Sequence, residues 1–214
     1  MTRILPGVLA MAIIVVASNI LVQFLLMDGL LTWGAFTYPF AFLVTDIMNR
    51  VYGAAAARRV VVAGFVVGII CSLIGSRIML QGDGFEYPAV AFRVAIGSAT
   101  AFLVAQLLDV AVFNRLRAGN WWRAPLVSTL VSSSIDTVLF FSIAFSAGLA
   151  GYFSETANGE VSWAWDAMPF LNAFDPAPLW VSLAVADWSV KLAIALFALL
   201  PFRLIVGRML QRRA

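Results

Sequence analysis

Long apolar stretches separated by short polar ones dominate the chain. Each stretch is close to the roughly 20 helical residues that cross the ~30 Å hydrocarbon core of a bilayer. Transmembrane β-strands would need only about 9–11 residues each. Because a helix satisfies its own backbone hydrogen bonds in lipid, the pattern predicts six transmembrane helices. Their predicted ranges are 4–27, 34–53, 60–80, 88–113, 124–149 and 177–201.

The composition excludes an ordinary soluble domain. Apolar residues make up 63% of the chain and charged residues 12%, against about 45–50% and about 25% in a typical soluble protein. The first stretch is long, lacks a clean small-x-small cleavage site and precedes further stretches, so it is not predicted to be a signal peptide. The sequence therefore predicts an all-α integral membrane protein with one membrane domain over residues 1–214.

Charge predicts the orientation of the six helices. Basic residues occur at the N-terminus, around the loops after helices 2 and 4, and at the C-terminus, whereas the alternate loops contain only acids. This asymmetry follows the positive-inside rule and places both termini in the cytoplasm. The basic residues on that side are Arg3, Arg50, Arg58, Arg59, Arg115, Arg117, Arg123, Arg203, Arg208, Arg212 and Arg213.

Several classes of chemistry lack the residues they need. The chain has no histidine and a single cysteine, Cys71, which excludes Ser-His catalysis, histidine-ligated zinc and an internal disulfide. No metal and no cofactor are predicted. The net charge of +3 is explained by topology, so a nucleic-acid partner is not predicted.

Seven ionisable residues remain within the predicted helices, although each costs at least about 2.5–3.5 kcal/mol at a helix centre. Arg77 and Arg93 lie in the outer parts of helices 3 and 4. We expect them to extend to the interface and pair with Asp83 or Glu86. The deeper ones are Asp46, Asp109, Asp136, Asp187 and Lys191.

Polar residues share faces on five of the six helices. Asp187 and Lys191 are four residues apart, which predicts an ion pair. Asp136 follows Thr129, Ser132 and Ser133 on one face of helix 5. Similar sets are Gln106 with Asp109 in helix 4, Asn19 with Gln23 in helix 1, and Asp46 with Asn49 and Arg50 in helix 2.

Two readings of these polar faces are open. They can line a cavity, or they can stabilise helix contacts by hydrogen bonds. In helix 2, Asp46 can pair with Arg50, and Pro39 can weaken the helix. Helix 3 differs, because Gly64, Gly68, Ser72 and Ser76 form a close-packing face, used within the fold or in a homodimer.

A cavity of this kind suits a small planar solute. Carboxylates and amides without a glycine-rich phosphate loop argue against a nucleotide phosphate, whereas a purine-like base is bound by edge hydrogen bonds and aromatic stacking. The candidate substrate-binding residues are Asn19, Gln23, Asp46, Asn49, Gln106, Asp109, Asp136, Asp187 and Lys191.

One segment is similar to a known family. The stretch TYPFAFLVTDIMNRVYGAAAARRVVV (37–62) resembles the hallmark of the queuosine precursor transporters, part of the vitamin uptake transporter group. Four further segments resemble that family in the same order, so the similarity covers nearly the whole chain. They are ASNILVQF (17–24), RVAIGSATAFLVAQLLDVAVFNRLR (93–117), VSTLVSSSIDTVLFFSIAF (127–145) and DWSVKLAIALFALLPF (187–202).

The resemblance implies a multi-pass importer in the bacterial inner membrane. Its substrates would be 7-cyano-7-deazaguanine and 7-aminomethyl-7-deazaguanine, and its fold would be similar to the substrate-binding subunits of energy-coupling-factor importers. On this hypothesis Asp136 is the first choice to accept the N–H donors of the base, and Gln106 or Asn19 donates to its carbonyl oxygen. Lys191 balances charge and can leave Asp187 when substrate enters.

Three alternatives stay open. A substrate-binding subunit that needs an ATPase partner is disfavoured, because helix 1 has Ala10, Ala12 and Ala17 without the Ala-x-x-x-Ala spacing typical of such subunits. An intramembrane aspartyl protease is disfavoured because no Gly-x-Gly-Asp stretch occurs. A membrane protein without any ligand is disfavoured by the number of buried ionisable groups.

The energy source for transport is a separate question. A buried acid, Asp109 or Asp136, could carry a coupling proton.

Overall fold

The structure, a computed structural model, describes residues 4–21, 24–27, 29–82, 84 and 86–211. Eight α-helices lie in this part of the chain and contain most of its residues. They are α1 (Leu5–Leu21), α2 (Trp33–Thr37), α3 (Phe40–Tyr52), α4 (Ala54–Gly75), α5 (Phe92–Leu116), α6 (Arg123–Phe145), α7 (Glu155–Gly159) and α8 (Leu179–Gln211).

Four helices, α4, α5, α6 and α8, are long and apolar enough to cross a membrane, and α1 is a shorter apolar helix of 17 residues. Several exposed side chains on α4 and α8 are large and apolar, which suits contact with lipid and would not suit water. The all-α membrane class predicted from sequence is therefore confirmed.

The second predicted helix is broken in two. Thr37 ends α2 and Phe40 begins α3, with Tyr38 and Pro39 in a turn between them. Proline lacks the backbone N–H that would continue the helix, so the break lies where the sequence predicted weakness. The carbonyl of Gly34 still accepts the ordinary helical hydrogen bond from the Tyr38 backbone and a second one from the Thr37 hydroxyl, so the last turn of α2 is closed before Pro39.

The other predicted helix edges need correction. Predicted helices 1 and 3 correspond to α1 and α4, which end at Leu21 and Gly75. Both end earlier than predicted because the chain beyond them forms short hairpins. The final helix continues to Gln211 and includes Pro201. The hairpin strands are β1 (Leu25–Leu26) with β2 (Leu31–Thr32), β3 (Met79–Gln81) with β4 (Glu86–Pro88), and β5 (Ala167–Pro169) with β6 (Pro176–Pro178).

Arg93 is buried at the start of α5, and the prediction that it extends to the interface is wrong. Its guanidinium donates to the backbone carbonyls of Ile143 and Ser146 and to the Asn158 side chain, and it lies 4.7 Å from the centre of the Phe153 ring. The pairing predicted with Glu86 is absent among the described residues, and Asp83 lies outside them. Arg93 thus fastens the α6–α8 loop to α5.

The small residues of α4 pack inside the fold. A side chain at Gly64 would meet Met11 of α1, and one at Gly68 would touch Val15. Met11 and Val15 belong to the apolar core between α1, α3, α4 and α5. The structure therefore supports packing within the fold as the role of this face. The part of the face that contacts α1 is not exposed for contact with a second copy of the chain.

Helices α5 and α6 approach each other closely at Gly97. A Cβ atom there would lie 3.1 Å from the Phe140 carbonyl oxygen and 3.2 Å from the Ala144 nitrogen. These are backbone atoms, which cannot rotate away as a side chain can. Small residues at such contacts let membrane helices pack closely.

We expect Gly97→Val to destabilise the protein. The added methyl groups would force α5 and α6 apart, and overpacking of this kind costs about 1–3 kcal/mol. The thermal unfolding midpoint in detergent should fall for Gly97→Val. It should stay near the original value for Gly207→Val, since Gly207 is exposed on α8 with no atom within 4 Å of its added Cβ. Equal midpoints for the two variants would contradict this account.

Candidate functional site

A three-residue charge cluster joins α6 and α8. Lys191 Nζ lies 2.7 Å from Asp136 Oδ2 and 2.6 Å from Asp187 Oδ2. The predicted Asp187–Lys191 ion pair is therefore confirmed, and the lysine also reaches an acid on the neighbouring helix. Lys191 Nζ donates a further hydrogen bond to the Thr137 hydroxyl. This cluster has one cation for two acids.

Tyr38 completes the cluster from the break between α2 and α3. Its hydroxyl donates to Asp136 Oδ1 at 3.0 Å, and its ring centre lies 5.5 Å from Lys191 Nζ. Both oxygens of Asp136 consequently have partners. Because both oxygens already accept hydrogen bonds, Asp136 is not favoured over the other acids as the acceptor of the N–H groups of a base. Tyr38 was not among the predicted site residues, although its position before Pro39 marks it as the residue that a helix break redirects.

A second cluster lies about one helical turn away along α6. Ser132 Oγ donates to Asp109 Oδ1 at 3.0 Å, and Ser132 and Asp136 are four residues apart, about 6 Å along the helix. Ser128 and Thr129 each donate to Asp46 at 3.3 Å. Ser132 Oγ also donates to the Ser128 carbonyl, so Asp46 and Asp109 meet hydroxyls on successive turns of one face of α6. Predicted helix 5 corresponds to α6, and its polar face contributes residues to both clusters.

Among the described residues, the cation of every ion pair is Lys191, which belongs to the first cluster. The acids of the second cluster therefore have no described cation beside them. The pairing of Asp46 with Arg50 predicted from sequence is wrong. The Arg50 guanidinium instead donates to the backbone carbonyl of Arg117 at the end of α5. Arg50 and Asp46 are one helical turn apart, but the arginine binds the carbonyl at the end of the neighbouring helix instead.

Three polar atoms beside the acids have no hydrogen-bond partner within the described part of the chain. They are Asp109 Oδ2, Asn49 Oδ1 and Gln106 Nε2, all on residues with no exposed surface. Asn49 Nδ2 donates to the Val110 carbonyl and Gln106 Oε1 accepts from Thr45, which orients both amides. A buried polar group without a partner costs about 1–3 kcal/mol. Two acceptors and one donor are therefore available between α3 and α5.

A narrow crevice between α3, α6 and α8 reaches Asp46 and Thr129. It has room for about one water molecule. A bicyclic base would not fit there unless α8 or α6 moved away from α3. The conformation is closed around the second cluster.

The remaining predicted residues lie apart from both clusters or outside the description. Asn19 is half-buried on α1, where its amide donates to the Val15 carbonyl in its own helix. Gln23 lies outside the described residues. The structure therefore brings together seven of the predicted residues in two groups: Asp46, Asn49, Gln106 and Asp109, and Asp136, Asp187 and Lys191.

The chain has clear relatives. Residues 32–206 match the family model described as "Putative vitamin uptake transporter". The queuosine precursor transporter of Escherichia coli (strain K12) is 32% identical over 94% of this chain and 85% of its own length. The "Probable queuosine precursor transporter" of Haemophilus influenzae (strain ATCC 51907 / DSM 11121 / KW20 / Rd) is 36% identical over 79% of this chain and 66% of its own.

A third relative is more distant, and it has the same printed name. The "Probable queuosine precursor transporter" of Bacillus subtilis (strain 168) is 26% identical over 78% of this chain and 68% of its own length. No solved structure matches the chain significantly. The family match over most of the chain agrees with the helical membrane fold and its buried polar clusters. The chain belongs to the vitamin uptake transporter family, which includes the queuosine precursor transporters.

Proposed function

We propose that this protein imports the queuosine precursors 7-cyano-7-deazaguanine and 7-aminomethyl-7-deazaguanine. The observation that carries the proposal is the match to a named queuosine precursor transporter along 94% of the chain. The membrane-spanning helices and the polar groups at their centre fit transport of a small polar solute. A transporter of this kind performs no covalent chemistry, so no catalytic residue is assigned.

We place the protein in the bacterial inner membrane with six spans and cytoplasmic termini. In this arrangement α2 and α3 together make the second span. The proposal is supported by the three hairpins, which all fall in the loops that lack lysine and arginine apart from Arg77 at the end of α4. The clustered arginines belong to the opposite ends of the helices, as the positive-inside rule requires.

The second cluster is our proposed recognition site for the base. A guanine-like edge offers one carbonyl oxygen and adjacent N–H donors. Gln106 Nε2 can donate to that oxygen, while Asp109 Oδ2 and Asn49 Oδ1 can accept the N–H groups. These are the three buried side-chain atoms that have no hydrogen-bond partner within the described ranges. The cluster of Asp136, Asp187 and Lys191 then sets the charge beside the base, and Asn19 and Gln23 lie farther along the pathway.

Uptake in cells tests the proposal. Cells that cannot synthesise the precursor should regain queuosine in their tRNA when this chain is expressed and either base is supplied at low concentration. Cells with an empty vector should not. If expression of a correctly inserted protein leaves the tRNA without queuosine at every concentration where a known transporter succeeds, the proposed function is refuted.

A further inference from the structure

The acids of the second cluster lack a balancing charge. Asp46 and Asp109 are both buried against the same face of α6, and within the described residues neither has a lysine or arginine at ion-pair distance. Placing two carboxylates together in a membrane interior without a cation costs several kcal/mol. A proton on one of the two acids lowers this cost, because it leaves a single negative charge. The pair therefore has a place for one proton.

Two observations assign the proton to Asp46. Among the described residues Asp109 Oδ2 has no hydrogen-bond partner, and it is the acceptor proposed for the base, so Asp109 is ionised when the base is bound. Asp46 lines the crevice between α3, α6 and α8, whereas Asp109 does not. The Ser128 and Thr129 hydroxyls lie 3.3 Å from the Asp46 oxygens, and a hydroxyl can rotate to accept a hydrogen bond from the protonated acid.

In the part of the chain that the structure describes, no other charged group on the packed helices neutralises the pair. Arg50 on α3 binds a backbone carbonyl, and Lys191 on α8 is occupied by Asp136 and Asp187. The facing residues of α6 are the hydroxyls Ser128, Thr129 and Ser132. The crevice between α3, α6 and α8 reaches Asp46 and has room for about one water molecule beside it.

We infer that Asp46 binds a proton that is taken up with the base, so that each base is imported together with one proton. This inference rests on the proposed function. Closing the site over a base removes the water that would stabilise a second negative charge, and binding therefore favours the protonated form of Asp46. Transport of base and proton together would let the inward proton gradient drive accumulation.

The pH dependence of binding tests the inference on the purified protein. The ligand should be 7-cyano-7-deazaguanine, because it lacks the basic aminomethyl group that would itself titrate. If one proton is taken up, the dissociation constant should rise with pH along a limb that approaches about tenfold per pH unit. Asp46→Asn imitates the protonated acid, so its dissociation constant should be independent of pH over the same range. Asp175→Asn, a change at an exposed acid in the outer loop, should behave like the original protein.

Proton uptake can also be counted without any variant. A pH indicator in weak buffer should report close to one proton taken up per base bound on the alkaline limb. No uptake at any pH, or a pH-dependent dissociation constant that persists in Asp46→Asn, would overturn the inference while leaving base transport itself intact. An original protein that binds no base would refute the proposed function and this inference together.

Discussion

Replacing Asp109 with asparagine is expected to abolish uptake of queuosine precursors. The substitution exchanges an acceptor, Asp109 Oδ2, for a group that can present N–H donors to the N–H edge of the base. Hydrogen bonds to a charged group are worth about 1.5–3 kcal/mol, which corresponds to a loss of at least about tenfold in affinity. Donor facing donor adds repulsion, so uptake at low base concentration should fall below detection.

Stability should be spared by this change. Asparagine has almost the shape of aspartate, and the substitution removes one of two buried acids that have no cation beside them. Membrane level and unfolding midpoint should therefore match those of the exposed control, Asp175→Asn. Uptake of the precursor by a well-inserted Asp109→Asn protein at the original rate would remove Asp109 from the recognition site.

Replacing Lys191 with methionine is expected to have the largest effect on folding. Lys191 is the only cation within ion-pair distance of Asp136 and Asp187 in the described part of the chain. Removing one partner of a buried ion pair costs about 3–5 kcal/mol, because the remaining charge is left uncompensated. The Lys191→Met protein should accumulate poorly in membranes, with a clearly lower unfolding midpoint in detergent.

The matched control for this prediction neutralises the acids as well. A triple variant that combines Lys191→Met with Asp136→Asn and Asp187→Asn leaves no buried charge in the cluster, so the unfolding midpoint should recover most of the loss. If Lys191→Met alone has the original midpoint, or the triple variant is no more stable than it, the ion cluster does not hold α6 and α8 together.

The helical membrane class could be predicted from sequence because apolar runs of this length have few alternatives in a bilayer. The hairpins could not. The first strands of two hairpins, β1 and β3, continue the apolar runs of predicted helices 1 and 3, so hydropathy alone extended those helices to residues 27 and 80. Pro39 was a usable signal, since it lacks an N–H whatever surrounds it, and the break between α2 and α3 lies there.

The polar faces were predictable residue by residue, whereas their partners were not. Helical spacing correctly joined Asp187 to Lys191, but it also suggested Asp46 with Arg50, and the structure turns Arg50 to Arg117. Spacing within one helix carries no information about the helix opposite. The position of Asp46 and Asp109 on one face of α6 depends on how α3, α5 and α6 are rotated against one another, and so does the contact of Tyr38 with Asp136.

The position of the bound base tests the account most directly. An experimental structure of the protein with 7-cyano-7-deazaguanine should show the N–H edge of the base within about 3 Å of Asp109 Oδ2, with its carbonyl oxygen at the Gln106 amide. The helices α6 and α8 should have moved apart from α3 to admit it. A base held by Asp136 and Lys191, with Asp109 still enclosed against Asp46 and out of reach, would contradict the account.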